Sequence, residues 1–522
     1  MRILAPTLTL IAVFLSASFS AAAERPNILF IFSDDHSPQA IGAYQGSMAS
    51  LDPTPNIDRL AASGVLFRNS FCTNSICGPS RAVVLTGKHS HINGFTANGL
   101  RFNPKQPTFP ATLNSAGYQT AIVGKWHLGT KPVGFDYWCV LPGQGEYYNP
   151  DFLTAKGKIT VPGYCTEVVT DMAVDWLDGR DTEKPFLLMC QHKAPHRNWM
   201  PGPSELDLYD DVEIPEPASL FDKLEDNASP ALESEMSIRD HLHPVYDLFF
   251  TGPGLTVPET NSKAKDKSGN RNLPKMTAEQ RALWDKAFAE ENAAFNAAEP
   301  EGDERVRIKY QRYMKNYLRA VRGVDNSVGR LLDYLEKSGL AENTIVVYSS
   351  DQGFYLGEHG WYDKRWMYEP SLSMPLIVRW PGVTTAGTVV EEMVQNLDYA
   401  PTLLEVGGVQ PAEDIQGRSL APLLRGESPD DWRSSIYYHY HASKAVHRVA
   451  RHNGVRTDRY KLIHFYETDE WELYDLEYDP KEMQNLYGQA GYESITSDLK
   501  TELVRLAKEC ADETDTSPLS TQ

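Results

Sequence analysis

Cysteine is scarce in this chain: Cys72, Cys77, Cys139, Cys165, Cys190 and Cys510 are the only six among 522 residues. So few exclude a disulfide-built scaffold, and no Cys-x-x-Cys spacing offers a thiolate metal site. Export would permit some pairing, but setting Cys77 aside for chemistry leaves five, an odd count. Long apolar runs are also missing. Beyond the first two dozen residues nothing approaches the ~20 apolar residues that span a bilayer, which excludes membrane insertion. Positive charge is in deficit, with 50 Lys and Arg against 70 Asp and Glu, a formal net charge of −20. That balance excludes nucleic acid and anionic membrane surfaces as partners. It also opposes an anionic substrate, so a site for one has to be a local basic pocket. No internal repeat is visible.

What is present begins with an export signal. Arg2 gives a positive start, "LTLIAVFLSASF" a short apolar core, and Ala21-Ala22-Ala23 a small-residue cleavage site. Residues 1–23 are expected to be removed, with the mature chain starting at Glu24 in the periplasm or secreted. No Cys stands at the cleavage point to carry a lipid anchor. The ~500 residues that follow exceed one compact core, so we expect a large domain over 24–425 and a smaller α+β subdomain over 426–512. Residues 202–300, rich in Pro, Asp, Glu, Ala and Asn, read as an insertion of loops and short helices, and 513–522 as a frayed tail.

Four segments share one design, a continuous apolar run that ends in polar or charged residues: "NILFIFSDDH" (27–36), "TAIVGKWHLG" (120–129), "PFLLMCQHKAPH" (185–196) and "TIVVYSSDQG" (344–353). Apolar runs without alternation predict strands buried on both faces, as in a parallel sheet. Tyr317, Val321, Val324, Val328, Leu331 and Leu335 fall on one helical face just before the last of these. Strands alternating with helices make an α/β fold, whose sites form at the carboxyl ends of the strands. All four polar clusters stand at that edge. After Pro401, "SSIYYHYHA" and "YKLIHFY" read as antiparallel strands and "DLKTELVRLAKECA" as an amphipathic helix.

The most specific stretch is "CGPSRAVVLTG", residues 77–87. Cys77, Pro79, Ser80 and Arg81, followed by Leu85-Thr86-Gly87, resemble the signature of type I sulfatases: Cys-x-Pro-Ser-Arg, three residues, then Leu-Thr-Gly. Every specified position matches. The resemblance implies that Cys77 is oxidised to Cα-formylglycine by a dedicated maturation enzyme that reads the unfolded chain. A serine nucleophile would be left as a stable sulfate ester. A hydrated aldehyde carries two hydroxyls on one carbon, so one attacks sulfur and the other, deprotonated, expels sulfate. A buried or disulfide-bonded Cys beside a turn is the plainer alternative, and it leaves Pro-Ser-Arg and Leu-Thr-Gly as coincidences.

The resemblance extends over nearly the whole mature chain, to "HNGVRTDRYKLIHFY" and "WELYDLEYDPKEMQNLY", which are similar to the C-terminal part of bacterial glycan sulfatases, N-acetylglucosamine-6-sulfatases among them. It implies the alkaline-phosphatase-like fold: an α/β architecture with a large mixed sheet sandwiched by helices, and a C-terminal subdomain with an antiparallel sheet and a helix. It also implies a metal, one Ca²⁺ in preference to Mg²⁺, held by Asp34, Asp35, Asp351, Gln352 and the converted Cys77. Gln352 stands where Asn is commonest, and its amide oxygen can still coordinate. Adjacent acids at a strand end also act as helix N-caps; two such clusters on one sheet favour the metal. Lys125 would bind a sulfate oxygen, His127 would hold and deprotonate the nucleophilic hydroxyl, and His196 would be the general acid. Lys364, in "GWYDKRWMYEP", would touch sulfate and the ester oxygen, and Arg81 would pair with the metal or the formylglycine oxygens. Lys193 is a candidate substrate contact or a solvated lysine. His439, His441, His447 and Arg448 either line a sugar subsite or form an ordinary polar strand face.

The expected function is therefore a sulfuric ester hydrolase acting on sulfated mono-, oligo- or polysaccharides. Two alternatives stay open. Phosphonate monoester or phosphodiester hydrolases of the same superfamily also use formylglycine, but tend to lack this Lys/His set. A non-catalytic sulfated-glycan binder would keep Cys77 unconverted.

Overall fold

The computed structural model describes residues 25–255, 273–442 and 447–514. The expected signal peptide and residues 515–522 of the expected tail lie outside the described residues. Ten strands form one sheet: β1 (Asn27–Ser33), β2 (Val65–Phe67), β3 (Gln119–Lys125), β4 (Tyr137–Leu141), β5 (Asp151–Thr154), β6 (Gly157–Thr160), β7 (Phe186–Gln191), β8 (Thr344–Ser350), β9 (Leu376–Arg379) and β10 (Thr388–Val390). Their order across the sheet is β10-β2-β9-β8-β1-β7-β3-β4-β5-β6. The four apolar segments picked out in the sequence are β1, β3, β7 and β8, and they lie side by side and parallel. Antiparallel pairing enters on both flanks, through β9 on one side and the β5–β6 hairpin on the other, so the sheet is mixed.

Alternate residues of the central strands feed two cores. Leu29 and Ile31 of β1, with Val123, Leu188 and Val346, face Val324, Val328 and Leu331 of the long helix α4 (Gly302–Lys337). That helix packs beside α1 (Pro55–Ala62) and α3 (Cys165–Asp178). Ile28, Phe30 and Phe32, with Ile122, Leu187 and Val347, face Val84 and Leu85 of α2 (Cys77–Thr86) and Leu403 and Leu404 of α5 (Tyr399–Val406). Continuous apolar strands are thus buried on both faces, which is why their sequences do not alternate.

A second sheet of four antiparallel strands, β11 (Ser435–Tyr440), β12 (His452–Thr457), β13 (Tyr460–Phe465) and β14 (Glu470–Asp475), follows in chain order. Here alternation returns. Ile436, Tyr438, Tyr440, Ile463 and Phe465 join the large core, whereas Tyr437, Val455, Leu462 and Leu473 pack under Leu499, Leu503 and Leu506 of α6 (Glu493–Glu509). Between 202 and 300 the described residues form loops and short helices, among them Ala278–Ala287 and Ala289–Ala298. No described helix is long and apolar enough to cross a membrane.

Leu331 is fully buried between α4 and the sheet. Leu331→Ala should cost about 2–5 kcal/mol through the lost burial and the cavity left behind. The loss is read as a fall in the thermal or denaturant midpoint; an unchanged midpoint contradicts this packing.

Candidate active site

The register sets the site. Ser33 pairs with Ser350 across β1 and β8, so Asp34-Asp35 and Asp351-Gln352 leave the sheet side by side. All four residues are fully buried. The turn at Asp35 has φ 67°, a left-handed conformation that costs strain in a non-glycine residue. It is held from three sides. The Asp35 N–H donates to Asp351 Oδ1 at 3.1 Å, the His36 N–H donates to Ser350 Oγ at 2.9 Å, and Tyr317 of α4 donates its hydroxyl to the Asp35 carbonyl at 2.8 Å. The long helix therefore fixes the acidic turn as well as the core.

Residue 77 opens α2, all ten residues of which are buried. Pro79 falls in the first turn, where its missing N–H has no intrahelical partner to lose. Gly78 sits so close to Asn98 that a Cβ would lie 2.7 Å from its Oδ1; without one, the Gly78 N–H donates to that oxygen at 3.0 Å. Ser80 donates to the Asp351 carbonyl and accepts from Asn396 Nδ2 at 2.8 Å, locking the helix start to the acidic turn. Gly87 ends the helix with φ 66°, and its carbonyl accepts from the N–H groups of Gln416 and Gly417. In the Cys-x-Pro-Ser-Arg…Leu-Thr-Gly pattern, Ser80 and Gly87 thus anchor and end the helix.

Cations close the ring. Arg81 donates to Asp351 Oδ2 (3.0 Å), to Gln191 Oε1 (2.7 Å) and to the Lys125 carbonyl (3.2 Å). Lys125 Nζ pairs with Asp34 and donates to Gln144 Oε1 at 2.6 Å. Lys364 Nζ reaches both oxygens of Asp35, at 2.5 and 2.6 Å. Gln352 donates to Asp35 through Nε2. His196 donates its Nδ1–H to the Arg197 carbonyl at 2.5 Å, leaving Nε2 facing Asp35 Oδ2 at 3.8 Å. One ligand atom each from Asp34, Cys77 and His196 lies within 4.8 Å of the others, which brings Cys77 to the acidic set. His127, with φ 57°, follows β3 by two residues.

The electrostatics follow from burial and these neighbours. Burial raises the Cys77 pKa, but Lys364 and Lys125 outweigh it, and the thiol is held below its usual value. Burial likewise raises Asp34, yet Lys125 and Arg81 bring it well below the usual carboxylate range. Asp35 is pushed up to about 7 by burial, with Lys364 opposing and Asp34 and Cys77 adding to the rise. Burial and Asp34 drive Asp351 well above the usual range in spite of Arg81. Burial, with Lys125 adding to it, holds both His127 and His196 well below their ordinary value, so both rings are neutral. Lys193 is buried with Nζ 4.6 Å from the centre of the Tyr147 ring, and burial brings its pKa down to about 8; it is not a solvated lysine.

Crowded, desolvated carboxylates of this kind suit a cation. Ligand oxygens of Asp34, Asp35 and Asp351 lie within 4.8 Å of one another, and Asp34 Oδ1 and Gln352 Oε1 are buried without a hydrogen-bond partner. An all-oxygen donor set fits a hard divalent ion such as Ca²⁺.

Beside Lys364, Asp363 accepts from Arg365 at 2.7 Å and lies 2.9 Å from His447 Nε2, with Arg197 3.9 Å away. His447 donates its Nδ1–H to the Glu235 carbonyl and accepts from Arg197 at Nε2. Asp363 and Arg365 both have positive φ, 83° and 99°. His447 is thus brought to the site. Arg448 is not: it is half exposed, 3.8 Å from Glu235. His439 and His441 pack against each other, with ring centres 3.6 Å apart, and His439 bonds to Asp512 instead. Sequence reasoning missed Gln144, Gln191, Asn98, Asp363 and Arg365. Asp363 and Arg365 flank Lys364 in "DKR", and Gln191 ends a recognised strand; Asn98 and Gln144 carry no local signal. All six cysteines are unpaired.

A buried cysteine at a helix start, beside three clustered carboxylates and ringed by Arg81, Lys125 and Lys364, lies at the carboxyl edge of an alkaline-phosphatase-like sheet and suits a hydrolase of anionic esters. The chain belongs to the sulfatase family: residues 26–409 match it, and residues 357–509 match the C-terminal N-sulphoglucosamine sulphohydrolase family. It is 46% identical over 495 residues to the N-acetylglucosamine-6-O-sulfatase of Bacteroides thetaiotaomicron, covering 94% of this chain and 87% of that protein. The human N-acetylglucosamine-6-sulfatase is 27% identical over 449 residues, 81% of this chain and 68% of that protein. A solved sulfatase in complex with its substrate D-glucosamine-2-N,6-O-disulfate superposes with a TM-score of 0.90 at 45% identity, covering 94% of this chain and 99% of that one.

If the strand-end oxygens hold a cation, Ca²⁺ supplied at 100 times its Kd should stabilise chelator-treated protein by about 2.7 kcal/mol. Asp351→Asn should abolish most of that gain in a thermal-shift titration. Equal gains in both proteins contradict the ligand set.

Proposed function

We propose that this sulfatase removes sulfate from sulfated glucosamine, with N-acetylglucosamine 6-sulfate and its glycosaminoglycan oligomers as the substrate class. The observation that carries the reading is the join of two devices in one stretch: Lys364 reaches into the sulfate end, while its neighbours Asp363 and Arg365, with His447, form a buried charged set suited to sugar hydroxyls. The relatives named for this substrate class support it. Residues 24–425 supply the reacting groups and 426–512 supply His447. The N-terminal segment directs export, where such glycans are met.

Formylglycine at residue 77, made by a maturation enzyme, supplies a nucleophile that sheds sulfate without a second displacement. A Ca²⁺ on Asp34, Asp35, Asp351 and Gln352 would polarise the sulfate oxygens. The chain's own groups do the rest. Lys125 and Lys364 present ammonium groups to the sulfate, so the anion meets positive charge within an acidic protein. Arg81 aligns Asp351 and opposes its protonation. The neutral His127 ring takes the proton of the hydroxyl at residue 77. His196, with Nδ1–H committed to the Arg197 carbonyl, carries the departing proton on Nε2, and a bound sulfate anion raises its affinity for that proton. Lys193, buried just past the end of β7 over the Tyr147 ring, is a further cation for the substrate.

Cys77→Ala should fold and release no sulfate. Lys364→Ala should lower kcat/KM about 10²–10³-fold with little change in thermal midpoint; wild-type turnover removes the assigned role. Arg365→Ala should cost about 10²-fold on N-acetylglucosamine 6-sulfate, the scale of a broken buried charge pair. Its turnover of a simple aryl sulfate should fall less than about tenfold, since that ester has no sugar to hold. Equal losses on both esters argue against a sugar role, and preference for a phosphonate monoester over both argues against the substrate class.

A further inference from the structure

Away from the catalytic edge, four histidines gather where the chain after α2 meets the end of β11. His89 and His91 flank the short helix start at Ser90, His439 lies in β11 and His441 just beyond it. Ring centres are 5.4 Å apart for His89 and His91, 3.6 Å for His439 and His441, and 5.8 Å for His91 and His441. Asp512, three residues past the end of α6, is turned into this cluster with its side chain 1% exposed.

One ligand atom each from His91, His441 and Asp512 lies within 4.8 Å of the others. The hydrogen positions follow from the partners. His91 Nε2 is 2.9 Å from the Cys510 carbonyl oxygen, which can only accept, so Nε2 carries the hydrogen. In the neutral ring Nδ1 is then a bare lone pair. That atom is buried, has no hydrogen-bond partner, and faces Asp512 Oδ2 at 3.6 Å. The His91 lone pair is thus a buried acceptor with no donor, facing an anionic oxygen across a gap too long for a hydrogen bond, and a cation would satisfy it. The gap is close to the ligand–ligand edge of about 3.4 Å in a tetrahedral ion with bonds of about 2.1 Å. The surroundings orient the ligands as metal sites require. A backbone carbonyl fixes the His91 tautomer, Tyr437 and His439 hold Asp512 Oδ2 at 2.8 and 2.6 Å, and Tyr466 holds His439 at 3.1 Å.

We infer that His91, His441 and Asp512 form a second metal site, separate from the strand-end oxygen set, for a divalent transition ion of the Zn²⁺ class, with the fourth position open to water. Two imidazoles and a carboxylate suit such an ion better than Ca²⁺. The ion ties together three segments distant in sequence: the turn after the nucleophile helix, the end of β11 and the chain after α6. Its place is that of a clamp between the C-terminal sheet and the segment that follows residue 77.

The test is Zn²⁺ titration of the full chain kept in excess Ca²⁺, so that the strand-end site is filled. We expect one Zn²⁺ per chain by elemental analysis after gel filtration, and a rise in thermal midpoint of about 3 °C at 100 times the Kd. His91→Ala and His441→Ala should each weaken uptake at least about 100-fold, the upper end of ligand-shell effects. Cys510→Ser, which keeps the carbonyl, should leave uptake intact. Co²⁺ added to the wild type should give the visible absorption of a tetrahedral nitrogen-ligated ion, a readout that needs no variant to fold. No uptake by the wild type, the result of a His91 imidazolium simply paired with Asp512, overturns the site. So does uptake retained in both histidine variants, or lost in Cys510→Ser.

Discussion

Charge buried at the carboxyl edge of β1 and β8 is the constraint on which the rest of this structure depends. Asp34, Asp35 and Asp351 are fully buried within reach of one another. Unpaired, such carboxylates would cost several kcal/mol each and would bind protons instead of staying ionised. Arg81, Lys125 and Lys364 offset this, each from a different part of the chain. Each acid therefore fixes the position of a cation, and Arg81 and Lys125 in turn hold neighbouring strand ends together. The net charge of −20 is irrelevant at this scale, because the local balance of sign decides what anion can enter.

The same balance explains the shape of the nucleophile segment. Residue 77 must stand at the focus of these charges while its helix is buried along its whole length, so α2 has no room for ordinary capping. Ser80 ties it to the Asp351 turn, Asn98 takes up the Gly78 N–H, and Gly87 ends it in a left-handed turn. The second sheet presses on the same segment from the other side. The Tyr438 hydroxyl donates to the Arg365 carbonyl at 2.6 Å and accepts from the Ser75 N–H at 3.2 Å. One tyrosine thereby joins the loop before the nucleophile to the loop after Lys364. Clamping of the turn after α2 by His91, His441 and Asp512 would extend that logic.

Much of this was legible in the amino-acid order because burial on both faces removes alternation. The runs at 27–36, 120–129, 185–196 and 344–353 read as interior strands, and the polar residues at their shared carboxyl edge, though single acids there also serve as helix caps, together pointed to a site. The short flanking strands β2, β9 and β10 carry three or four residues each, too few for any period to show. Site residues were legible where they sit on those strand ends or in the Cys-x-Pro-Ser-Arg stretch. Gln144, Asn98 and the pairing of Asp363 with His447 were not, because each depends on a contact between residues far apart in the chain. Likewise the sequence left His439 and His441 between a sugar subsite and a strand face; only the packing against Asp512 gives them a setting.

The central claim is that residue 77 acts as an oxidised cysteine held in this ring of charge. It is tested most directly by mass spectrometry of the tryptic peptide 69–81, "NSFCTNSICGPSR", from active protein made in its native host. The account predicts a species that has lost the Cys77 sulfur and two hydrogens, gained one oxygen, and reacts with aldehyde reagents. Fully unmodified Cys77 in protein that releases sulfate would contradict it.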